Sequence, residues 1–255
     1  MRKLIIGLSS WALIISLVSV GQAQEIWIKT DNAECSVASD EALREGEVVT
    51  WTGLCADGRA SGNGTLEVRF ENNLVGSYEG DMADGKLNGE GILRMQSADK
   101  SGFDRLEGAF VDGEPTGNAR FDGANGDYFE GKFVNGERHG TGHYRLANGE
   151  EYFGDFENGI RSGVGILVDA EENVYIGQFQ NNMAHGAGVS DNADGSSYQG
   201  QFANSLPDGA GTYTAPNGDI YQGRFIKAKS DGQFLVTRTD GSQEIQIFKD
   251  GELVE

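Results

Sequence analysis

The chain has 255 residues, enough for one large domain or two ordinary ones, and its 39 glycines make up about 15% of it against a usual ~7%. Only three prolines and as many as 24 aromatic residues accompany those glycines, so neither a collagen-like nor a low-complexity disordered chain fits. Asp and Glu outnumber Lys and Arg by 40 to 20, and the net charge of −20 makes nucleic acid and anionic lipid head groups poor partners.

At the N-terminus, Arg2 and Lys3 precede an apolar run from Leu4 to Val20, after which Gly21-Gln22-Ala23 sets small residues around a cleavage site between Ala23 and Gln24. Residues 1–23 read as a secretory signal peptide. The competing reading is an uncleaved anchor, but Ser9, Ser10 and Ser16 weaken the run, which falls short of the ~20 apolar residues that span a bilayer. Cleavage would leave 232 residues and, by removing Arg2 and Lys3, a formal charge of −22. The expectation is an exported, soluble protein of the periplasm or the extracellular medium.

From residue 51 onward the chain repeats itself. The segments WTGLCADGRASGNG from Trp51, YEGDMADGKLNGEG from Tyr78, LEGAFVDGEPTGNA from Leu106, FEGKFVNGERHGTG from Phe129, YFGDFENGIRSGVG from Tyr152, YIGQFQNNMAHGAG from Tyr175, YQGQFANSLPDGAG from Tyr198 and YQGRFIKAKSDGQF from Tyr221 align without gaps. The first two spacings are 27 and 28 residues and the other five are 23, and a half-copy at 244 supplies Phe248 and Gly251. The unit, aromatic-x-Gly-x-aromatic-x-x-Gly-x-x-x-Gly-x-Gly, resembles the MORN (membrane occupation and recognition nexus) repeat over residues 51–251. Late copies depart from it: the first turn glycine becomes Asn182, Ser205 and Ala228, and Phe234 replaces the last glycine of the final copy. That copy reads as a degenerate cap.

The unit also has a direct physical reading. Side chains alternate along a strand, so Tyr152, Gly154 and Phe156 share one face, while Phe153 and Asp155 share the other, which is mostly polar in the remaining copies. Gly159 and Gly163 are expected to bracket a tight turn, with Gly165 and Leu167 returning on the aromatic side. Asn125-Gly126, Asn148-Gly149, Asp194-Gly195 and Asn217-Gly218 fall between units and suit hairpin turns with positive φ. Each repeat is then one β-hairpin. The predicted fold is all-β: an elongated, single-layer antiparallel sheet, an open ribbon of about eight consecutive hairpins, ~75 Å long at ~4.8 Å per strand. The longer early spacings predict longer first hairpins.

Residues 24–50 do not match the repeat and are expected to cap its exposed edge and apolar end, with Ile26, Trp27 and Ile28 as the covering side chains. Cys35 lies in this segment and Cys55 in the first copy, so in an exported protein the two are expected to form a disulfide.

For chemistry the sequence offers little. His139 and His185 are expected at the same turn position of copies two periods apart, roughly 19 Å at two strands per period, too far to share an ion. His143 lies nearer His139 but without a third ligand, and no metal site is assigned. DNADG at Asp191–Gly195 faintly resembles a calcium loop that lacks its glutamate, leaving weak calcium binding open. There is no GxSxG, P-loop or HExxH motif, no cofactor is implied, and the repeats leave no stretch of this sequence for a catalytic domain. The expectation is a non-catalytic extracytoplasmic scaffold or protein-binding module, with a protein partner or self-association. The alternatives are membrane-surface association, which the resemblance implies, and an acidic cation-binding surface protein. The candidate binding residues are the recurrent rings Tyr78, Phe110, Phe129, Phe133, Tyr152, Phe156, Tyr175, Phe179, Tyr198, Phe202, Tyr221 and Phe225, taken as an apolar face larger than monomers normally expose. The competing reading makes the same rings the repeat's own thin core.

Overall fold

The structure, a computed structural model, describes residues 25–40 and 42–254; the expected signal peptide and its Ala23/Gln24 cleavage site lie outside the described residues. Described residues fall in β-strands, turns and loops, with no helix among them, and the chain divides into two units at Arg138/His139.

The N-terminal unit contains β1 (Ile26–Lys29), β2 (Ser36–Ser39), β3 (Glu47–Trp51), β4 (Leu54–Ala56), β5 (Arg59–Phe70), β6 (Asn73–Ala83), β7 (Lys86–Gln96), β8 (Phe103–Val111), β9 (Glu114–Asp122) and β10 (Tyr128–Val134). From β5 to β10 each strand pairs antiparallel with its successor in sequence. As the spacing predicts, the early strands are long: β5 runs 12 residues and meets β6 through the two-residue turn Glu71-Asn72.

The cap works differently from the expectation. Strand β3 belongs to the first repeat and pairs with β5, and the capping role falls to β1, β2 and the loop between them. Strand β2 runs along the hairpin tips: the Ser36 N–H donates to the Gly58 carbonyl and the Ala38 N–H to the Gly85 carbonyl, both at 2.8 Å. The free edge of β3 is closed by two polar residues. Asp31 donates its N–H to the Val49 carbonyl and accepts from the Val49 N–H, while the Asn32 amide takes both backbone groups of Trp51. Of the three expected covering residues only Ile28 is buried; Trp27 is half-exposed beneath the Arg59 guanidinium. The expected Cys35–Cys55 disulfide is present, with Cα atoms 5.5 Å apart.

The C-terminal unit contains β11 (Glu137–Arg145), which crosses the boundary, then β12 (Glu151–Glu157), β13 (Ile160–Val168), β14 (Val174–Gln180), β15 (Met183–Asp191), β16 (Ser197–Ala203), β17 (Leu206–Thr214), β18 (Ile220–Ile226), β19 (Lys229–Ser230), β20 (Gly232–Thr237), β21 (Gln243–Lys249) and β22 (Glu252–Leu253). Strands β12 and β13 show the unit of construction. Their turn is the two residues Asn158-Gly159, both with positive φ (51° and 79°), the type I′ geometry that suits a twisted hairpin. Gly163 is therefore not a turn residue. It lies inside β13 at φ +58°, where the register slips: Gly154 faces Gly165, but Asp155 faces Ser162. The Asp155 carboxylate accepts from the Val164 N–H at 3.1 Å and so serves the backbone that the bulge unpairs. The Asn-Gly and Asp-Gly pairs between repeats are likewise not two-residue turns. In Leu146–Glu150, Gly149 alone has positive φ, and its N–H returns to the Leu146 carbonyl, a type I turn closed by a glycine bulge.

The bulge has a large consequence for the rings. On a flat strand, side chains four residues apart stand about 13 Å from one another, yet the Tyr152 and Phe156 ring centroids are 5.2 Å apart, edge to face. The hairpin thus folds at the bulge and brings its tip over the inner face. Each tyrosine meets the phenylalanine of its own strand and that of the next hairpin, in the series Tyr152–Phe179, Tyr175–Phe202 and Tyr198–Phe225 at 4.9–5.1 Å. Tyr152 lies flat over Gly154 and Gly165, and its hydroxyl donates to the Asp155 carbonyl at 3.0 Å, one of the groups freed by the slip. Tyr78, Tyr175 and Tyr198 repeat that bond, and the Trp51 indole makes its counterpart in the first copy. In the final copy Phe234 replaces a glycine and fills the slot over Gly223 itself, leaving Tyr221 only half-buried.

Candidate outer-face docking row

Because the hairpin tips fold over the rings, the aromatic side is closed. The predicted binding residues Tyr78, Phe110, Phe129, Phe133, Tyr152, Phe156, Tyr175, Phe179, Tyr198, Phe202 and Phe225 are all core, and Tyr221 is half-buried. An aromatic face open to a partner is thus corrected to an internal ladder of rings; its expected exposure assumed a flat ribbon, which the bulges prevent.

Burial also sets the acid-base character of the ladder. Desolvation pushes the Tyr78 and Tyr152 hydroxyls from 10.0 up to about 12, with the carboxylates of Asp81 and Asp155 adding to it, and burial raises Tyr175 and Tyr198 as well. A raised folded pKa stabilises fully below the unfolded value and is lost as pH climbs through the folded one. Stability should therefore hold to pH 10 and fall cooperatively between there and about 12. Phenolate absorbance and circular dichroism followed over that range should change together; ionisation of all the tyrosines at pH 10 with the fold intact would contradict the burial.

With the inner face closed, the outer face is what the C-terminal unit offers. Pairing aligns His143, Phe153, Ile166, Ile176 and Val189 in one row across β11 to β15. Phe153, Ile166 and Ile176 are 42, 40 and 47% exposed, and Val164 beside them is 60% exposed. His143 continues the row by stacking on Phe153, with centroids 3.9 Å apart, and its Nε2 lies 3.9 Å from Glu151. Past Val189 the row turns polar with Gln199, Thr212 and Gln222. In the N-terminal unit the equivalent row reads Thr65, Glu79, Ile92, Glu107, Arg120 and Glu130. Ion pairs cross that surface, among them Arg105–Glu107 at 2.6 Å and Arg120–Asp122 at 2.8 Å. One repeat architecture thus presents a mostly charged outer row in the N-terminal unit, interrupted by Thr65 and Ile92, and an apolar stretch from Phe153 to Val189 in the C-terminal unit. The sequence reading noticed Phe153 on this face but missed Ile166, Ile176 and Val189; the outward parity of these positions was the available signal.

The remaining candidates are structural. His139 and His185 stand within β11 and β15, beyond the two-residue turns rather than in them. In DNADG, Asp194 accepts from both the N–H and hydroxyl of Ser196, which hold its carboxyl below the usual carboxylate range and commit it to the turn. Among the described residues no group of three or more His, Cys, Asp and Glu is placed to hold a metal ion.

Comparison with known proteins gives the following. The MORN repeat profile matches residues 78–97, 107–128, 129–151, 152–173, 175–197 and 198–220, leaving the copies at Trp51 and Tyr221 outside the matched segments. No curated protein sequence matches the chain. Among solved structures it is similar to the TCP domain of SAS-4 (dCPAP) of Drosophila melanogaster, solved in complex with a proline-rich motif of Ana2 (dSTIL). The identity is 14% and the TM-score 0.28, with 92% of this chain and 97% of that chain covered. The six matched segments span more than half of the sequence, and the chain belongs to the MORN repeat family.

Proposed function

We propose that the protein is a non-catalytic, exported protein-binding module that engages its partner through the outer apolar row of β11–β15. The observation that carries this reading is the row itself: Phe153, Ile166, Ile176 and Val189 lie side by side on adjacent strands, with Phe153, Ile166 and Ile176 exposed, and at the repeat position of Phe153 and Ile176 the N-terminal unit places Glu79, Glu107 and Glu130. Leaving β-branched side chains in water costs free energy that burial against a partner recovers, at roughly 25 cal/mol per Å². Export is supported by the basic-then-apolar leader pattern and by a disulfide of the kind that persists in oxidising compartments.

The test is site-specific photo-crosslinking in the source cells, with the crosslinker at Ile176 or, as control, at Glu107 in the charged row. The expected result is a discrete protein adduct from position 176 alone, recovered from the envelope fraction on a chain that begins at Gln24. Equal adducts from both positions, or none from 176, would overturn the docking row; an adduct on a chain retaining Met1 would overturn export.

A further inference from the structure

Resting on that docking row, we infer that its occupant is a cationic amphipathic protein segment, one that lays apolar side chains on the row and sets Lys or Arg over its rim. The row crosses five strands, about 19 Å, close to the length of a helix of about 14 residues. Its charge surroundings are one-sided. Beside it stand Glu151 at the start of β12, Asp169, Glu171 and Glu172 in the loop before β14, Asp191 at the end of β15 and Asp194 in the turn that follows. Three arginines belong to the same strands: Arg138 lies over the inner ring of Phe129, Arg145 lies opposite Glu151, and Arg161 is paired with Glu150 at 3.0 Å. Glu171, Glu172 and Asp191 are exposed.

Charge selects among the occupants of such a surface. A second copy of this chain would set like carboxylates against one another across any two-fold pairing of the row, and the net charge of −20 repels it at longer range. An anionic bilayer is opposed by the same sign. A basic segment gains from the rim in both encounter rate and register, while the apolar row supplies the area that holds it.

The experiment measures calorimetric binding to the protein at about 0.15 M salt, using three helix-forming peptides of about 14 residues with one shared pattern. One carries Leu and Lys, one Leu and Glu, and one Gln and Lys. The Leu/Lys peptide should bind, and the other two should bind at least about tenfold more weakly, the equivalent of one well-packed apolar or charged contact. The double variant Ile166→Ser, Ile176→Ser should weaken the Leu/Lys peptide by at least about the same factor while keeping the parent's melting temperature within a few degrees, since both side chains face outward. Equal binding by the Leu/Glu peptide, lost in the double variant, would leave the docking row standing and overturn the cationic partner. Equal binding by the Gln/Lys peptide, or a double variant that binds as the parent does, would reduce the effect to unspecific charge and overturn the inference. No binding by either leucine peptide would overturn both the inference and the row beneath it.

Discussion

Replacing Gly154 by Val should unfold the ring ladder around β12 and lower the stability of the C-terminal unit by about 3–4 kcal/mol. A Cβ at Gly154 would come within 2.5 Å of the Tyr152 hydroxyl oxygen and 2.6 Å of both its Cζ and the Gly165 Cα. Both neighbours are fixed. The Gly165 Cα is backbone, and the Tyr152 ring is wholly buried, held by its hydrogen bond to the Asp155 carbonyl and by edge contacts to Phe156 and Phe179. The ring must leave its slot, and the loss then approaches that of deleting a buried aromatic side chain. Gly159→Ala is the matched control. A Cβ there meets nothing within 4 Å, and only its φ of +79° opposes the change, at a cost of about 1 kcal/mol. Chemical denaturation monitored by tyrosine fluorescence should separate the two variants clearly. Equal losses would mean that glycine serves backbone conformation at both positions and that the ring slot is not the organising element.

That pairing of variants also marks where the sequence is readable. The period and the side of each ring follow from alternation alone, because Tyr152, Gly154 and Phe156 must share a face in any strand. The identity of Gly163 does not, since a glycine four residues after a turn glycine looks the same whether it ends the turn or sits in a bulge. The distinction lies in the side chain opposite: Asp155 can reach the Val164 N–H only if the register slips there. Missing the bulge hid the folding-over of the hairpin, and with it the observation that decides for burial, so the inner face read as a candidate surface with the thin core only as its competitor. Phe234 shows the same limit. As a lost glycine it looks like decay of the pattern, whereas it fills the slot from the neighbouring strand and takes the position that Tyr152, Tyr175 and Tyr198 hold in earlier copies. Ala228, at φ 65°, is a true departure, since it holds the left-handed turn position of a glycine without a glycine's freedom.

Removing the Cys35–Cys55 disulfide, by the double variant Cys35→Ser, Cys55→Ser, should cost about 3 kcal/mol, the loop-closure entropy of a link spanning 20 residues of sequence. The loss should be confined to one end of the chain, because a repeat leans mainly on its neighbours. The bond ties the loop after β1 to β4, and the strand that follows Cys35 donates to the hairpin tips at Gly58 and Gly85. The same loop holds Asp31 and Asn32 against the backbone of Val49 and Trp51 on the edge of β3. Without the link, hydrogen exchange should accelerate at Ser36, Ala38, Val49 and Trp51 while amides of β12 to β17 keep the parent's protection. An uncovered β3 edge presents free N–H and carbonyl groups to other chains, so the variant should also aggregate with increasing concentration where the parent does not. Slow exchange retained at Val49 and Trp51 in the reduced or substituted protein would show that the Asp31 and Asn32 hydrogen bonds hold the edge unaided, and that the disulfide acts on the unfolded chain alone.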